Sequence, residues 1–535
     1  MTLPVRPAPQ RSLLACTCFL ALAALGCDQG EKRGHSGTST ITILGGRLAG
    51  AGSMEWPLSP GSTHGDQHAG FLSLVRWDEG GRVEGRLAER WEHSPDYRTW
   101  TFHLRRDVRW HDGVPTTTHD VKFTLELFAH PDVLSPTNDF WRDMESFTVL
   151  DDYTFTITYT KPTDALNLSR ELPVFYPKHL LEDLDPKEFY QWEFWMHPVG
   201  NGPYRYVHHV PHTMIEYEAN PDYYRGKPKI ERVVNKYGGG APLIELLSGN
   251  VDVAAVNQAD IPKLAGDPRF RLYYGVHWHR LFAIHWNQRH PLFRDPRVRR
   301  ALTLAINRRE LLQVLNLPED LPIVDGMYTA RQFRRGDLPE PLPYDPERAA
   351  ELLDAVGWRD QDGDGVRERA GVEARFTAFT RGGHSAAPEE AAIYVQDQLR
   401  RVGIRMEVQT LEWFLLTPRI RAGEFDAAFD FFPNNAATWI PSRLRGEWFG
   451  EGSPIGYTNP ELVRLLETAL ITIDPEAKDQ IYREVMEIFR AEVPVTILFP
   501  PTAMHVAHRR FRGFSSPRRG PGTASVEYAW IEEQP

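Results

Sequence analysis

From Arg98 to Leu104 the chain alternates, with Trp100, Phe102 and Leu104 on one side. A period of two is the mark of a half-buried strand. A turn at His111-Asp112-Gly113 follows, and then a helical pattern from about Asp120 to Phe128. Phe147-Thr148-Val149 and Phe155-Thr156-Ile157-Thr158-Tyr159, separated by Asp151-Asp152, read as a hairpin rich in strand-favouring residues. Further on, helices carry explicit punctuation. Asp295-Pro296, Asp345-Pro346 and Asp474-Pro475 each offer an N-cap followed by proline at the first helical position. Behind them Val298, Leu302, Ala305 and Leu312, then Leu352, Leu353 and Val356, then Ile481, Val485, Ile488 and Phe489, fall inward. A helix over 389–401 stops at Gly403, and Ile404, Met406 and Val408 open an alternating strand; another strand covers 495–499. Strands and helices mixed at short spacing predict an α/β class.

The N-terminus bears on compartment. Arg6 and Arg11 precede an apolar run, Leu13 to Leu25, too short to span a bilayer comfortably and proportioned like a secretory signal. It ends at Ala24-Leu25-Gly26-Cys27, which resembles a lipobox, where the cysteine is acylated and the chain cut before it; Ala24 stands where leucine is favoured. A plain signal with a coincidental cysteine, or an uncut anchor, is the other reading. Of three cysteines, Cys16 and Cys18 lie in the run to be removed, so Cys27 alone would remain, without a disulfide framework. Residues 1–26 are thus expected to be a signal and 27–39 a lipidated, flexible tether. Asp28 resembles a retention signal for the inner membrane in diderm bacteria. The expected location is the periplasm or cell surface, anchored by lipid. At 535 residues one core is not enough, and two or three lobes are expected. The formal charge of −11 comes without a basic stripe, which argues against nucleic acid as a partner.

Several segments, in order, resemble one family, the extracellular solute-binding proteins of the oligopeptide- and dipeptide-binding group, family five. They begin with Leu87-Ala88-Glu89-Arg90-Trp91, Trp100 to Arg105, and Val108-Arg109-Trp110-His111-Asp112-Gly113-Val114-Pro115. Gly200-Asn201-Gly202-Pro203-Tyr204 and Asn220-Pro221-Asp222-Tyr223-Tyr224 follow, then Asp295 to Leu302 with Ala305-Ile306-Asn307-Arg308. Weaker echoes lie at Ser248 to Asp252, Tyr344-Asp345-Pro346 and Gly423-Glu424-Phe425-Asp426. The resemblance implies a two-lobed, type II periplasmic-binding-protein-like fold that closes by a hinge, with an extra inserted domain. Lobe one is expected from 40–65, 199–280 and 495–535, the insertion from 66–198, and lobe two from 281–494. The implied function is capture of a peptide-like solute for the permease and ATPase of an ABC importer, by a monomer with no cofactor or catalytic residue. Alternatives are a non-peptide solute (sugar, metal chelate or haem), a sensor or pheromone receptor on the same scaffold, and an exported hydrolase. Of hydrolase and nucleotide motifs, Gly-x-Ser-x-Gly, His-Glu-x-x-His, a Walker loop and Gly-x-Gly-x-x-Gly are all absent from the sequence.

In peptide-binding relatives an aspartate after the Gly-x-Phe-Asp motif pairs with the ligand's amine. Counting from Asp426, that position holds Asn435, beside Asn434 and after Phe432, with Asp430 earlier on the strand and Trp439 following. An amide cannot neutralise an ammonium, and a buried ammonium left unpaired costs several kcal/mol, roughly 3–5. Trp413 matches a family tryptophan that walls the pocket, although a core ring at a strand-to-helix junction fits the residue type equally well. Asn257 and Arg280 fall where relatives line the cleft. Asp360, Asp362, Asp364 and Glu368 mimic half a calcium loop, but Gly371 occupies the position of its closing acid, so a hairpin of Asx turns is expected. His208, His209 and His212, and His277 and His279, lack a recognisable third ligand, and no metal site is expected.

Overall fold

The computed structural model describes residues 39–44, 69–77, 83–133, 143–163, 174–210, 213–237, 241–276, 280–326, 340–382, 387–433, 448–450, 452–514 and 523–532. Ser39–Pro535 forms one compact unit, organised around three large sheets. The signal, the tether and Cys27 lie outside the described residues, and no described helix is long and apolar enough to cross a membrane.

The first sheet has seven strands, in the order Phe270–Val276, Thr502–His508, Val253–Ala255, Thr40–Leu44, Arg232–Lys236, Met214–Ala219 and Tyr204–Val210. The second has five, in the order Arg405–Glu412, Arg375–Gly382, Ala427–Pro433, Arg280–Trp286 and Val495–Phe499. Its three neighbours Arg405–Glu412, Arg375–Gly382 and Ala427–Pro433 run parallel, the first an exposed edge and the other two largely buried, and helices flank the sheet on both faces. Pro296–Leu304, Pro346–Ala355 and Ala387–Arg400 cover one side, while Trp413–Ala422, Pro460–Ile471 and Pro475–Glu492 cover the other. The anticipated caps are present. Asp295, Asp345 and Asp474 each accept a backbone N–H from the first turn, with proline behind them, which satisfies donors that the helix leaves unpaired.

Two expected boundaries move. Arg280, placed at the end of a lobe-one segment, instead opens a strand of the second sheet, paired with Pro433. Val495–Phe499, expected in lobe one, also belongs to the second sheet, where it pairs with Arg280–Trp286. The antiparallel ladder between those strands holds both in the second sheet, and the chain rejoins the first only at Thr502.

The third sheet, Ala88–His93, Thr99–Leu104, Thr154–Tyr159 and Met144–Asp151, has its own core with Trp100, Phe102, Phe155, Ile157, Tyr176 and Trp195. The family-like motifs meet where this body joins the first sheet. The Asn201 side chain accepts the Leu72 N–H at 2.9 Å, and the Gly70 carbonyl accepts the N–H groups of Asn201 and Gly202 at 3.0 and 2.8 Å. A Cβ on Gly200 would overlap the Gly70 carbonyl oxygen, and one on Gly202 would come within 2.7 Å of Gly70 backbone. Glycine is required here for close approach of two chains. A second tie is buried. Arg86 donates to both Glu527 carboxylate oxygens at 2.9 and 2.7 Å, each side chain being 5% exposed, and the Tyr223 hydroxyl donates to the same carboxylate at 2.8 Å. Burial works to raise the Glu527 carboxyl, but Arg86 and these hydrogen bonds hold it below its usual value.

Candidate functional site

Strand direction locates the site. In the second sheet the parallel strands end at Gly382, Glu412 and Pro433, and at that same end Arg280 begins its strand and Phe499 finishes its own. In the first sheet the parallel strands Thr40–Leu44, Arg232–Lys236 and Val253–Ala255 finish beside the end where Val276 pairs with Thr502. The chain therefore passes between the sheets twice, once after Val276, which pairs with Thr502, and once after Phe499, which pairs with Phe282. In both sheets the carboxyl ends of the parallel strands face these passages. In open α/β sheets, ligands bind outside such carboxyl ends, and a small number of chain crossings between two bodies is what a hinge needs. Two residues before Val276, the Tyr274 hydroxyl in the first sheet donates towards the Asp320 carboxylate, 3.1 Å from each oxygen, in the segment that follows the helix Arg308–Val314.

The sequence-predicted residues distribute unevenly about this region. Asn257 is exposed just past the carboxyl end of Val253–Ala255, at the N-cap of the short turn Gln258–Asp260. Trp413 opens the helix Trp413–Ala422 at the end of Arg405–Glu412, and with 50% of its surface exposed it is not a core ring. Its neighbours Phe414 and Leu415 are 56% and 52% exposed, an apolar ledge that the sequence did not single out. Arg280 begins its strand at the same end, its backbone paired with Pro433. Phe432 corrects the expectation. It is fully buried, packed against Trp448, Phe449 and Phe489 with ring centroids about 6 Å apart, because alternation on a strand covered on both faces turns it into the core. A solute would meet Phe432 only by displacing those rings. Asn434, Asn435 and Trp439 lie outside the described residues, as do His212, His277 and His279.

Asp430 and Arg381 form an ion pair at 3.7 Å across the strands Ala427–Pro433 and Arg375–Gly382, 18% and 33% exposed. The buried His285 donates from Nε2 to the Asp430 carbonyl at 3.3 Å, its ring tilted against that of Trp448 with centroids 5.0 Å apart. Burial lowers its pKa to about 4 and keeps it neutral. The acidic loop behaves as Asx turns. Asp360 accepts the N–H groups of Gly363 and Gly365, Asp364 accepts that of Val366, and Glu368–Arg369 pairs with Val372–Glu373 as a hairpin. Asp360, Asp362 and Glu368 are the sole described group of three potential metal ligands. An open pocket of about 510 Å³ lies near the opposite end of the second sheet, lined by Asn287, Thr377, Gln409, Glu424 and Asp426. There Asp426 accepts the Thr377 N–H and Asn287 donates to the Gly423 and Phe425 carbonyls, so the Gly-x-Phe-Asp motif builds the end of the sheet remote from the passages.

Comparison with known proteins agrees with this architecture. The oligopeptide-binding protein AppA of Bacillus subtilis is 25% identical, over 86% of this chain and 86% of its own. Its structure with a nonapeptide superposes with a TM-score of 0.68 at 23% identity, covering 93% of this chain and all of that one. NikA from Brucella suis, solved with Fe(III)-EDTA, gives a TM-score of 0.75 at 21% identity over 92% of this chain and all of its own. At these identities the structures establish the fold, the two-lobed type II architecture expected from the sequence. The family model for "Bacterial extracellular solute-binding proteins, family 5 Middle" matches residues 82–443. The chain belongs to the bacterial extracellular solute-binding proteins of family five.

Proposed function

We propose that the protein captures a peptide-like solute outside the cytoplasm and delivers it to the permease and ATPase of an ABC importer, the second sheet closing on the first about the paired passages. The observation that carries this reading is the convergence of both sets of strand ends, Asn257 on one sheet and Trp413 on the other, upon the two connections. The oligopeptide-binding relative supports a peptide as the solute. A second reading, a metal chelate, is favoured by the equally similar fold of the Fe(III)-EDTA complex. In the proposed division, lobe one comprises 40–65, 199–276 and 502–535, the insertion 66–198, and lobe two 280–499. The site is assigned to Asn257, Arg280, Trp413, Asn434, Asn435 and Trp439, in a non-catalytic monomer anchored through Cys27. Native mass spectrometry of the purified protein, before and after ligand stripping, tests the solute. A co-purified peptide is expected, and a chelate or sugar in its place overturns the peptide reading. Solution scattering should show a smaller radius of gyration on re-addition, and an unchanged radius at saturation refutes hinge closure.

A further inference from the structure

We propose that the Tyr274 hydroxyl and the Asp320 carboxylate form a latch between the two bodies that holds the solute site open, so that closure breaks it and its strength sets the affinity for solute. The latch presupposes the hinge reading of the two crossings and rests on it.

Tyr274 stands two residues before the end of Phe270–Val276, at the edge of the first sheet. Its hydroxyl lies 3.1 Å from each Asp320 oxygen, a shared hydrogen bond to a charged acceptor. Asp320 belongs to the second body, whose core takes in Leu317, Leu321 and Ile323 on either side of it. The turn that carries it is braced. The Leu321 N–H donates to the Pro318 carbonyl at 3.1 Å. Arg309 Nη1 donates to the Glu319 and Leu321 carbonyls at 3.0 and 2.8 Å. The carboxylate is therefore presented to Tyr274 by a fixed turn. Val276 lies on the same face of the strand as Tyr274 and packs against that same core.

The described arrangement leaves the site accessible, with Trp413 half exposed and Asn257 exposed at the facing strand ends. Tyr274 moves with the first sheet and Asp320 with the second. Rotation about the crossings changes the separation of atoms on opposite bodies, and a hydrogen bond does not survive stretching to about 3.6 Å. The hydroxyl stands a whole tyrosine side chain away from its strand, which gives that rotation a lever. Closure thus exchanges this bond for contacts with solute. A bias towards the open form lowers apparent affinity in proportion to the fraction of molecules in the binding-competent form. Loss of the bond raises that fraction. Asp320 is exposed, so water competes for it and the effect is several-fold rather than larger.

The test uses the full mature protein stripped of solute and two probes. One is a mixed dipeptide-to-nonapeptide library, and the other is the small-molecule fraction recovered from purified wild type. Tyr274→Phe, which deletes only the hydroxyl, should tighten binding about fivefold in a tryptophan fluorescence titration. Its radius of gyration at saturation should equal that of wild type. Asp320→Ala should do the same, and the double variant should gain nothing further, because either change alone breaks the bond. Thermal melts check that each variant folds. A merely structural contact would lower Tm without tightening binding. Unchanged or weakened binding by folded Tyr274→Phe overturns the latch and leaves hinge closure intact. Additive gains from the two substitutions overturn it as well, since the residues would then act separately. If wild type binds a probe with no fall in radius, the hinge reading fails and the latch with it. If wild type binds neither probe, the capture reading fails and takes the latch with it.

Discussion

Replacing Trp413 by alanine measures how much of the binding energy the ledge supplies. A fully covered tryptophan buries roughly 200–250 Å². Half of the ring is exposed without solute, so closure can cover about 110 Å², worth ~3 kcal/mol at roughly 25 cal/mol/Å². Ordering the solute and ring takes back part of this, which leaves ~2 kcal/mol, or about a 30-fold rise in Kd. Folding should be nearly indifferent, since Trp413 lies outside every described core cluster and surface substitutions usually stay within about 0.5 kcal/mol. Calorimetric titration of the co-purified solute, paired with a thermal melt, separates the two effects. An affinity within about twofold of wild type would refute the ledge as part of the site. A lowered Tm would show that the ring supports the helix instead.

Four further outcomes are expected. Arg86→Met should cost ~3 kcal/mol in guanidinium unfolding because it leaves the buried Glu527 with only the more distant Arg225, 3.9 Å away, as a cationic partner, while Arg86→Met with Glu527→Met should recover most of it; a double variant as unstable as the summed singles contradicts the buried-pair account. His285 has a folded pKa of about 4 against 6.5 unfolded, so its contribution is complete above 6.5 and ~3 kcal/mol is lost as pH falls towards 4. His285→Phe should flatten that acid slope, and an unchanged slope would assign it to other groups. Asn435→Asp should shift preference towards free-amine peptides by ~1–3 kcal/mol, and equal responses to free and acetylated ends would remove Asn435 from the site. Cys27→Ser should abolish metabolic palmitate labelling, and persistent label would disprove the anchor.

Local signals were legible because their physics is local. Asp295, Asp345 and Asp474 cap helices with atoms a few residues away, and Gly403 stops one with φ +78°. The hairpin through Asp151 needed only its own alternation. Pairing between distant segments carries no such local mark. Val495–Phe499 reads as a strand in isolation, but its sheet is set by Arg280–Trp286 far upstream, so the lobe boundary fell on its wrong side. Phe432 misled for a related reason. A strand buried on both faces has no polar side to show which rings look outward. Asp430 was noticed as an acid, yet it pairs with Arg381, a partner on another strand that no spacing rule reveals.

The late strands also bear on how the molecule is made. Thr502–His508 lies between Phe270–Val276 and Val253–Ala255, and Val495–Phe499 completes the second sheet. Neither sheet can close until the C-terminal part of the chain has emerged, so productive folding is deferred almost to the end of synthesis. Long-range pairing of this kind is intrinsically slow, and incomplete sheets expose edges prone to aggregation. Any shortening from the C-terminal side past Val495 would remove a strand from both sheets together and should yield no half-working lobe.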